Sequence, residues 1–260
     1  MKILKLLFVF VSLAVSYTLT PQGVSINNDG SAADGSAMLD VQSTVMGFLP
    51  PRMTTEEIAS ITNPAEGLIV YNTTTHRPAF YNGSGWHYYD GTVCIPYIGA
   101  YYAGGVVFYL DGTGGGMVCA VSDQSTGTSW GCFQTEIDGA DIPAIGYGLQ
   151  NTIDICSDCG EPGIAARICD EFISGIYGDW FLPSKDELNA MYENKDAIDA
   201  TAIANGGSAF EYNNYYWSST EYDYQQAWFQ YFSSGTAFDG YQGTTGKSIT
   251  NSRVRAARSF

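Results

Sequence analysis

Histidine, cysteine and acidic side chains are the groups of this 260-residue chain that could carry out covalent or metal chemistry. The only two histidines, His76 and His87, precede residue 94. The chain after residue 93 therefore has no imidazole for a Ser-His-Asp or Cys-His arrangement, which is the usual machinery of acyl transfer. Two carboxylates such as Glu221 and Asp223 could cleave a glycoside. Acids are so plentiful, however, that nothing singles out a pair, and we expect no enzymatic activity.

All six cysteines lie after residue 93, and an even count in an exported chain predicts disulfides. The sequence leaves the pairing open. We favour Cys159 with Cys169, which would tie a loop to the helix that follows it. The spacing of Cys156 and Cys159 also matches a zinc knuckle, but no second such motif and no nearby histidine accompanies it. The disulfide candidates are Cys94, Cys119, Cys132, Cys156, Cys159 and Cys169.

Aromatic and amide side chains are concentrated between Phe210 and Tyr241. Tyrosine beside serine, asparagine and glycine is typical of antibody binding loops, where rigid rings supply contact area at low entropic cost. Alternate aromatics in two predicted strands, residues 216–218 and 227–232, should face the core. The segments between these strands are the better candidates for an exposed binding surface. The predicted ligand-binding residues are Tyr212, Asn213, Asn214, Tyr215, Tyr222, Asp223, Tyr224, Asp239 and Tyr241.

The first 16 residues have the pattern of an export signal. Lys2 and Lys5 precede an apolar run of about ten residues, which is too short for the roughly 20 that span a bilayer, and small residues follow. Removing this signal leaves a net charge of 9 − 27 = −18, which repels nucleic acids and other polyanions. The sequence predicts a secreted or cell-surface protein without a nucleic-acid partner and without a transmembrane segment once the signal is removed.

Turn and capping patterns divide the remaining chain into an extended leader (residues 17–47), a small β-rich module (48–93) and a C-terminal domain (94–260). In the module, Thr54 and Glu57 form a capping box that predicts a helix ending near Ile61. Three short β-type runs follow, at residues 67–71, 79–81 and 86–89, separated by turn sequences. The leader carries one short apolar run, residues 38–41, which predicts a strand.

In the C-terminal domain, residues 104–110 and 117–121 predict a hairpin. Apolar residues at four-residue spacing predict a helix over 163–174. Residues 180–182 predict a buried strand. Ser184 and Glu187 then form a second capping box, which predicts another helix. Helices and strands in this order predict an α+β domain.

The C-terminal domain contains three further motifs: Trp180-Phe-Leu-Pro-Ser184, Trp217-Ser-Ser-Thr220 and Arg253-Val-Arg-Ala-Ala-Arg258. In this order and with this spacing they resemble the Lcl C-terminal domain, a family of bacterial extracellular modules in the C-type-lectin-like superfamily. The resemblance implies a C-type-lectin-like domain with two helices and a looped antiparallel sheet. It also implies a binding protein, adhesin-like in function, and a structural role for Arg253 and Arg255 as salt-bridge or hydrogen-bond partners.

Residues 39–83 are similar to a module of phage tail-fibre and bacterial surface proteins that acts as a stalk or trimerising connector, so a homotrimer is implied by analogy. Calcium-dependent lectins of the superfamily use Glu-Pro-Asn and Trp-Asn-Asp motifs. Here Glu161-Pro-Gly163 and Trp217-Ser-Ser219 lack the ligand oxygens. No cofactor is implied, although a structural calcium ion, which needs only carboxylate and carbonyl oxygens, is compatible with the sequence.

An extracellular glycan or a surface protein is the expected partner, because few basic residues follow Phe210 and a polyanionic ligand is disfavoured. Two alternatives stay open. One is a structural fibre tip or envelope component without a specific ligand. The other is an enzyme of the formylglycine-generating type, which would need reduced cysteines near the C-terminus, whereas the last cysteine here is Cys169.

Overall fold

A computed structural model describes residues 23–112, 114–233, 235 and 237–260. The predicted signal peptide and the start of the leader lie outside these residues. The chain divides into two units, residues 1–50 and 51–260. The second unit contains residues 51–93 of the predicted small module and the whole of the predicted C-terminal domain. None of the helices in the described ranges is both long and apolar enough to cross a membrane.

The first unit contains a two-stranded parallel sheet of β1 (Val24–Ile26) and β2 (Leu39–Val41), and β2 confirms the predicted leader strand. Val24 pairs with Leu39, and Ile26 pairs with Val41. Because side chains alternate along a strand, these four aliphatic residues share one face, and each is between 42% and 59% exposed.

The small module folds as predicted from its turns and its capping box. Thr54 accepts a hydrogen bond from the amide of Glu57, whose side chain accepts one from the amide of Thr54. Ile58, Trp86 and Tyr88 lie in its buried core. The sheet has the order β3-β4-β5-β6. The elements of the small module are β3 (Arg52–Met53), α1 (Thr55–Ala59), β4 (Ile69–Asn72), β5 (Arg77–Tyr81) and β6 (Trp86–Tyr88).

The C-terminal domain combines four helices with two sheets in its described part, consistent with the predicted α+β class. One sheet, β15-β9-β8-β7, is antiparallel; the other, β10-β14-β11-β12-β13, is antiparallel except for the parallel pair β11 and β14. The elements are β7 (Tyr101–Tyr102), β8 (Gly105–Leu110), β9 (Gly116–Cys119), β10 (Ser125–Thr128), α2 (Gly148–Asp158), α3 (Ala165–Asp170), α4 (Lys185–Glu193), α5 (Lys195–Ala204), β11 (Asn214–Glu221), β12 (Gln226–Phe232), β13 (Gln242–Gly246), β14 (Ser252–Val254) and β15 (Ala257–Ser259).

The expectation of two helices was wrong for the described part of this domain, because α2 and α5 add to the predicted α3 and α4. No side chain of α2 caps its first turn; instead the distant Glu187 carboxylate accepts from the amides of Gly146 (2.8 Å) and Gly148 (3.3 Å). The predicted strand at residues 180–182 is reduced to a bridge between Phe181 and Ala257.

The predicted pairing of Cys159 with Cys169 was also wrong. Cys159 is bonded to Cys132, with a Cα–Cα distance of 5.7 Å. Cys159 ends α2 and faces the loop that carries Cys132, whereas Cys169 lies on α3 in the core, fully buried as a thiol. Cys94, Cys119 and Cys156 are thiols as well. Because Cys132 and Cys159 share a disulfide, neither is available as the thiolate ligand that zinc would require.

Both faces of the β11–β12 pair are covered by core residues over most of its length. Trp217 and Ala227 face one hydrophobic cluster, together with Trp130. Tyr216 and Phe232 face the other. This alternation follows from the two-residue period of a strand, and it fixes which aromatic residues of this region are left to solvent.

Candidate binding surface

Three tyrosines lie side by side on neighbouring strands at one end of the five-stranded sheet. Tyr215 on β11 pairs directly with Tyr231 on β12, and their ring centroids are 4.9 Å apart. The amide of Tyr231 donates to the carbonyl of Tyr241, just before β13, at 2.8 Å. We call Tyr215, Tyr231 and Tyr241 the tyrosine row. The ring of Phe229 lies 4.8 Å from that of Tyr215 and 6.1 Å from that of Tyr241, so it supports the row from below.

Two of the three tyrosines of the row are accessible, whereas Tyr231 is half-buried and packs against the hydrophobic cluster that contains Trp217. Tyr215 is 40% exposed and Tyr241 is 53% exposed. Gly243 leaves room for the ring of Tyr241, since a Cβ atom at this position would lie 2.6 Å from that ring. Phe238, whose ring is 6.3 Å from that of Tyr241, extends the aromatic surface. The fold thus provides a shallow row of preformed rings.

The predicted residues Tyr222, Asp223 and Tyr224 lie in the turn at the opposite end of β11. Tyr222 packs its ring 5.6 Å from that of Trp228. Asp223 Oδ1 accepts from the amides of residues 225 and 226, at 2.8 and 2.7 Å, so its carboxylate is used to shape the turn. At about 3.3 Å per residue, the seven steps from Tyr215 to Tyr222 span about 23 Å. The predicted residues therefore do not form one surface. We call Tyr222 and Tyr224 the turn tyrosines.

The other predicted ligand-binding residues have local partners or flank the row. The hydroxyl of Tyr212 donates to Asp199 at 2.9 Å, and burial together with this carboxylate raises the pKa of Tyr212. Asp239 accepts from the hydroxyl of Tyr192, which lowers the pKa of Asp239. Asn213 is exposed and has a left-handed backbone (φ 64°), and the half-buried Asn214 begins β11. The sequence prediction left Tyr231 and Phe229 out of the site because it placed them in a core strand. The pairing of β11 with β12, which brings Tyr231 opposite Tyr215, was the signal that could have identified them.

The terminal arginines have the structural role that the sequence predicted. Asp123 accepts from Arg255 Nε at 2.7 Å, from Arg253 at 3.1 Å and from the hydroxyl of Tyr216 at 2.9 Å. Arg255 is fully buried, and its remaining bonds go to backbone carbonyls, among them that of Ala120 at 3.2 Å. These side chains hold the C-terminal segment against the rest of the domain.

A groove of about 1230 Å³ separates the small module from the C-terminal domain and contains none of the predicted ligand-binding residues. The charged side chains of its wall are paired with each other, since Arg77 forms an ion pair with Asp90 and stacks 3.9 Å from the ring centre of Tyr88. In contrast to this groove, the tyrosine row contains two of the predicted ligand-binding residues, Tyr215 and Tyr241, and both are exposed.

Comparison with known families agrees with this architecture. No curated protein matches the chain. A family model described as a phage tail like trimerisation region matches residues 25–100, which include the small module and the first unit's sheet except for Val24. A second family model, the Lcl C-terminal domain, matches residues 119–258, more than half of the chain. The chain therefore belongs to the Lcl C-terminal domain family.

Proposed function

We propose that this protein is a secreted or surface-displayed, adhesin-like protein that recognises a glycan or a protein surface through the tyrosine row. The Lcl-type and phage tail-like matches are compatible with a surface or structural protein. The observation that supports recognition is the row itself. Its rings pack against one another and against Phe229, so little side-chain entropy is lost when a ligand packs on them. The ring faces would pack against the C–H groups of a sugar or an apolar side chain, and the hydroxyls would form hydrogen bonds.

The charge of the chain favours a neutral ligand over a polyanion. The formal net charge is −16, and the loop before Tyr241 carries the exposed carboxylate of Asp239. Phosphate or sulfate polymers are bound through clusters of lysine and arginine, whereas Arg253 and Arg255 are committed to Asp123. A neutral glycan or a protein surface fits these groups better.

We propose that recognition is non-covalent and that the protein is not an enzyme. A cysteine-based enzyme needs an accessible thiolate. Burial raises the pKa of Cys119 to about 12, and it also raises the pKa values of Cys156 and Cys169. These residues are therefore kept as thiols at neutral pH, which makes them poor nucleophiles.

The first unit supports a homotrimer as the assembled form. A two-stranded sheet is marginal by itself, and β1 and β2 expose Val24, Ile26, Leu39 and Val41 on one face. The match to a trimerisation region includes these strands except for Val24. Three copies packed through this face would cover it. They would also present three tyrosine rows, and weak single contacts would then add up to tight binding through avidity.

A glycan and cell-surface binding screen tests the site. We expect Tyr215→Ala and Tyr241→Ala to weaken binding by roughly 30-fold or more, the loss of a binding hot spot. The turn tyrosines give matched controls of similar exposure, and Tyr222→Ala and Tyr224→Ala should leave binding nearly unchanged. Loss of binding only in the control variants would contradict the assignment to the row. A wild-type protein that binds nothing in the screen would favour the structural fibre-tip alternative.

The molar mass from light scattering tests the assembly. The wild-type protein should have the mass of three chains. Ile26→Asp places a charge in the exposed aliphatic face and should shift the mass toward one chain, whereas Ser25→Asp, on the opposite face of β1, should not. A single-chain mass for the wild type would refute the homotrimer without bearing on the tyrosine row.

A further inference from the structure

The side chain of Lys247 is enclosed in the protein, at a place where three segments of the C-terminal domain meet. It is fully buried, and its ammonium donates to the carboxylate of Glu221 and to the carbonyl oxygen of Thr135 (2.7 Å). The ammonium also lies 4.7 Å from the ring centre of Trp130. A carboxylate and a backbone carbonyl are ligands that a structural calcium ion would take. Here a covalently attached cation occupies that position.

The groups around Lys247 organise a loop that has little regular structure of its own. Both oxygens of Glu221 accept from the amide of Ile137, at 3.1 Å. The carbonyl of Lys247 accepts from the amide of Trp130 at 2.9 Å. Within the same loop, Cys132 and Gln134 have left-handed backbones, with φ of 45° and 68°. Such conformations are unfavourable for residues with a side chain and persist only where their surroundings fix them.

The backbone of Lys247 is also tied to the turn at the end of β11. The amide of Lys247 donates to the carbonyl of Gln225 at 2.9 Å, and Glu221 is the last residue of β11. One ammonium thus connects the loop around residues 130–137, the end of β11 and the connection from β13 to β14. In many extracellular proteins, a bound metal ion performs this kind of cross-linking.

We propose that Lys247 acts as a built-in structural cation, that the domain is consequently independent of divalent metal at this place, and that the pocket is selective for an alkylammonium group. The donor set explains the selectivity. A calcium ion takes six to eight oxygen ligands, whereas this pocket offers one carboxylate, one carbonyl and an aromatic face. An aromatic face attracts an organic ammonium by the cation–π interaction.

Chemical rescue tests the proposal. Lys247→Ala removes three methylene groups and the ammonium, which together correspond to n-propylammonium. We expect this variant to have a Tm about 6 to 20 °C below that of the wild type, because it leaves a buried carboxylate without its counter-ion. Millimolar n-propylammonium should restore several degrees by binding the folded state. 1-Propanol and calcium chloride at matched concentrations should restore none.

Two controls keep the test decisive. Lys185→Ala removes an ammonium that lies over Trp228 at 4.3 Å without a carboxylate partner among the described residues, and n-propylammonium should not stabilise this variant. The Tm of the wild type should be the same in calcium and in a chelator. A wild type that is destabilised by the chelator would overturn the proposal, even where Lys247→Ala fails to fold. Equal rescue by propanol, or rescue by calcium, would overturn the selectivity.

Discussion

Replacing Asp123 by asparagine should remove much of the stability of the C-terminal domain. Asparagine keeps the shape of the side chain but removes its charge. Arg255 is fully buried, and among the described residues Asp123 is its only ion-pair partner. The variant would leave the guanidinium with backbone carbonyls and with the ring of Phe210, whose centre is 4.3 Å away. Breaking a buried ion pair on one side costs about 3–5 kcal/mol.

The expected loss is large enough to measure in a denaturant titration. Trp130, Trp180 and Trp217 are fully buried, so tryptophan fluorescence reports the unfolding of this domain. For a unit of this size, each kcal/mol corresponds to about 2–4 °C, so the Tm should fall by roughly 6–20 °C. Asp90→Asn is the matched control, because its ion pair with Arg77 is exposed and such pairs contribute little.

The comparison of these two variants can refute the reasoning. We expect the denaturation midpoint to fall clearly for Asp123→Asn and to stay nearly unchanged for Asp90→Asn. Equal shifts of the two midpoints would show that the buried Arg255 depends no more on its counter-ion than the exposed Arg77 does. The structural role assigned to the terminal arginines would then be wrong.

Reduction of the disulfide and alkaline pH should destabilise the domain for separate reasons. The bond between Cys132 and Cys159 closes a loop of 27 residues, so reduction with dithiothreitol should lower the free energy of unfolding by about 3–4 kcal/mol. Thiol titration should confirm reduction by a rise from four to six thiols. An unchanged denaturation midpoint in such a sample would contradict the prediction. Burial and the Asp239 carboxylate raise the pKa of Tyr192 to about 12, and burial raises the pKa of Tyr216 as well. A tyrosine whose pKa is raised by folding contributes stability that is complete below the pKa of the unfolded state, near 10, and is lost as the pH rises through the pKa of the folded state. Ultraviolet absorbance should therefore show some tyrosines that ionise only at higher pH, together with unfolding. Ionisation of all tyrosines in a single step near pH 10, in a protein that stays folded, would contradict this prediction.

Local signals in the sequence predicted the elements whose ends are stabilised by their own residues. Both capping boxes, at Thr54 and at Ser184, are formed as expected. The sequence did not predict the start of α2, because the carboxylate that caps this helix belongs to Glu187, which is 39 residues away from Gly148. The pairing of Cys159 with Cys132 could not be predicted for the same reason, since only the packing of α2 against the loop around residue 132 brings the two cysteines together.

The sequence identified which tyrosines are exposed better than it identified which of them lie together. Tyr215, Tyr222, Tyr224 and Tyr241 are each at least 40% exposed. The predicted strand between Tyr215 and Tyr222 was only three residues long, whereas β11 has eight. The longer strand places Tyr215 near its start and the turn tyrosines beyond its end. The pairing of Glu221 with Lys247 had no local signal, because 26 residues separate the two side chains.

The last two strands, β14 and β15, belong to different sheets although only two residues separate them. A polypeptide synthesised as far as residue 250 therefore lacks a strand of each sheet, and it also lacks the arginines that neutralise Asp123. Such a nascent chain cannot complete its native packing until these strands emerge from the ribosome. Tags or deletions in this segment are therefore a poor choice for engineering, because each would disturb both sheets at once.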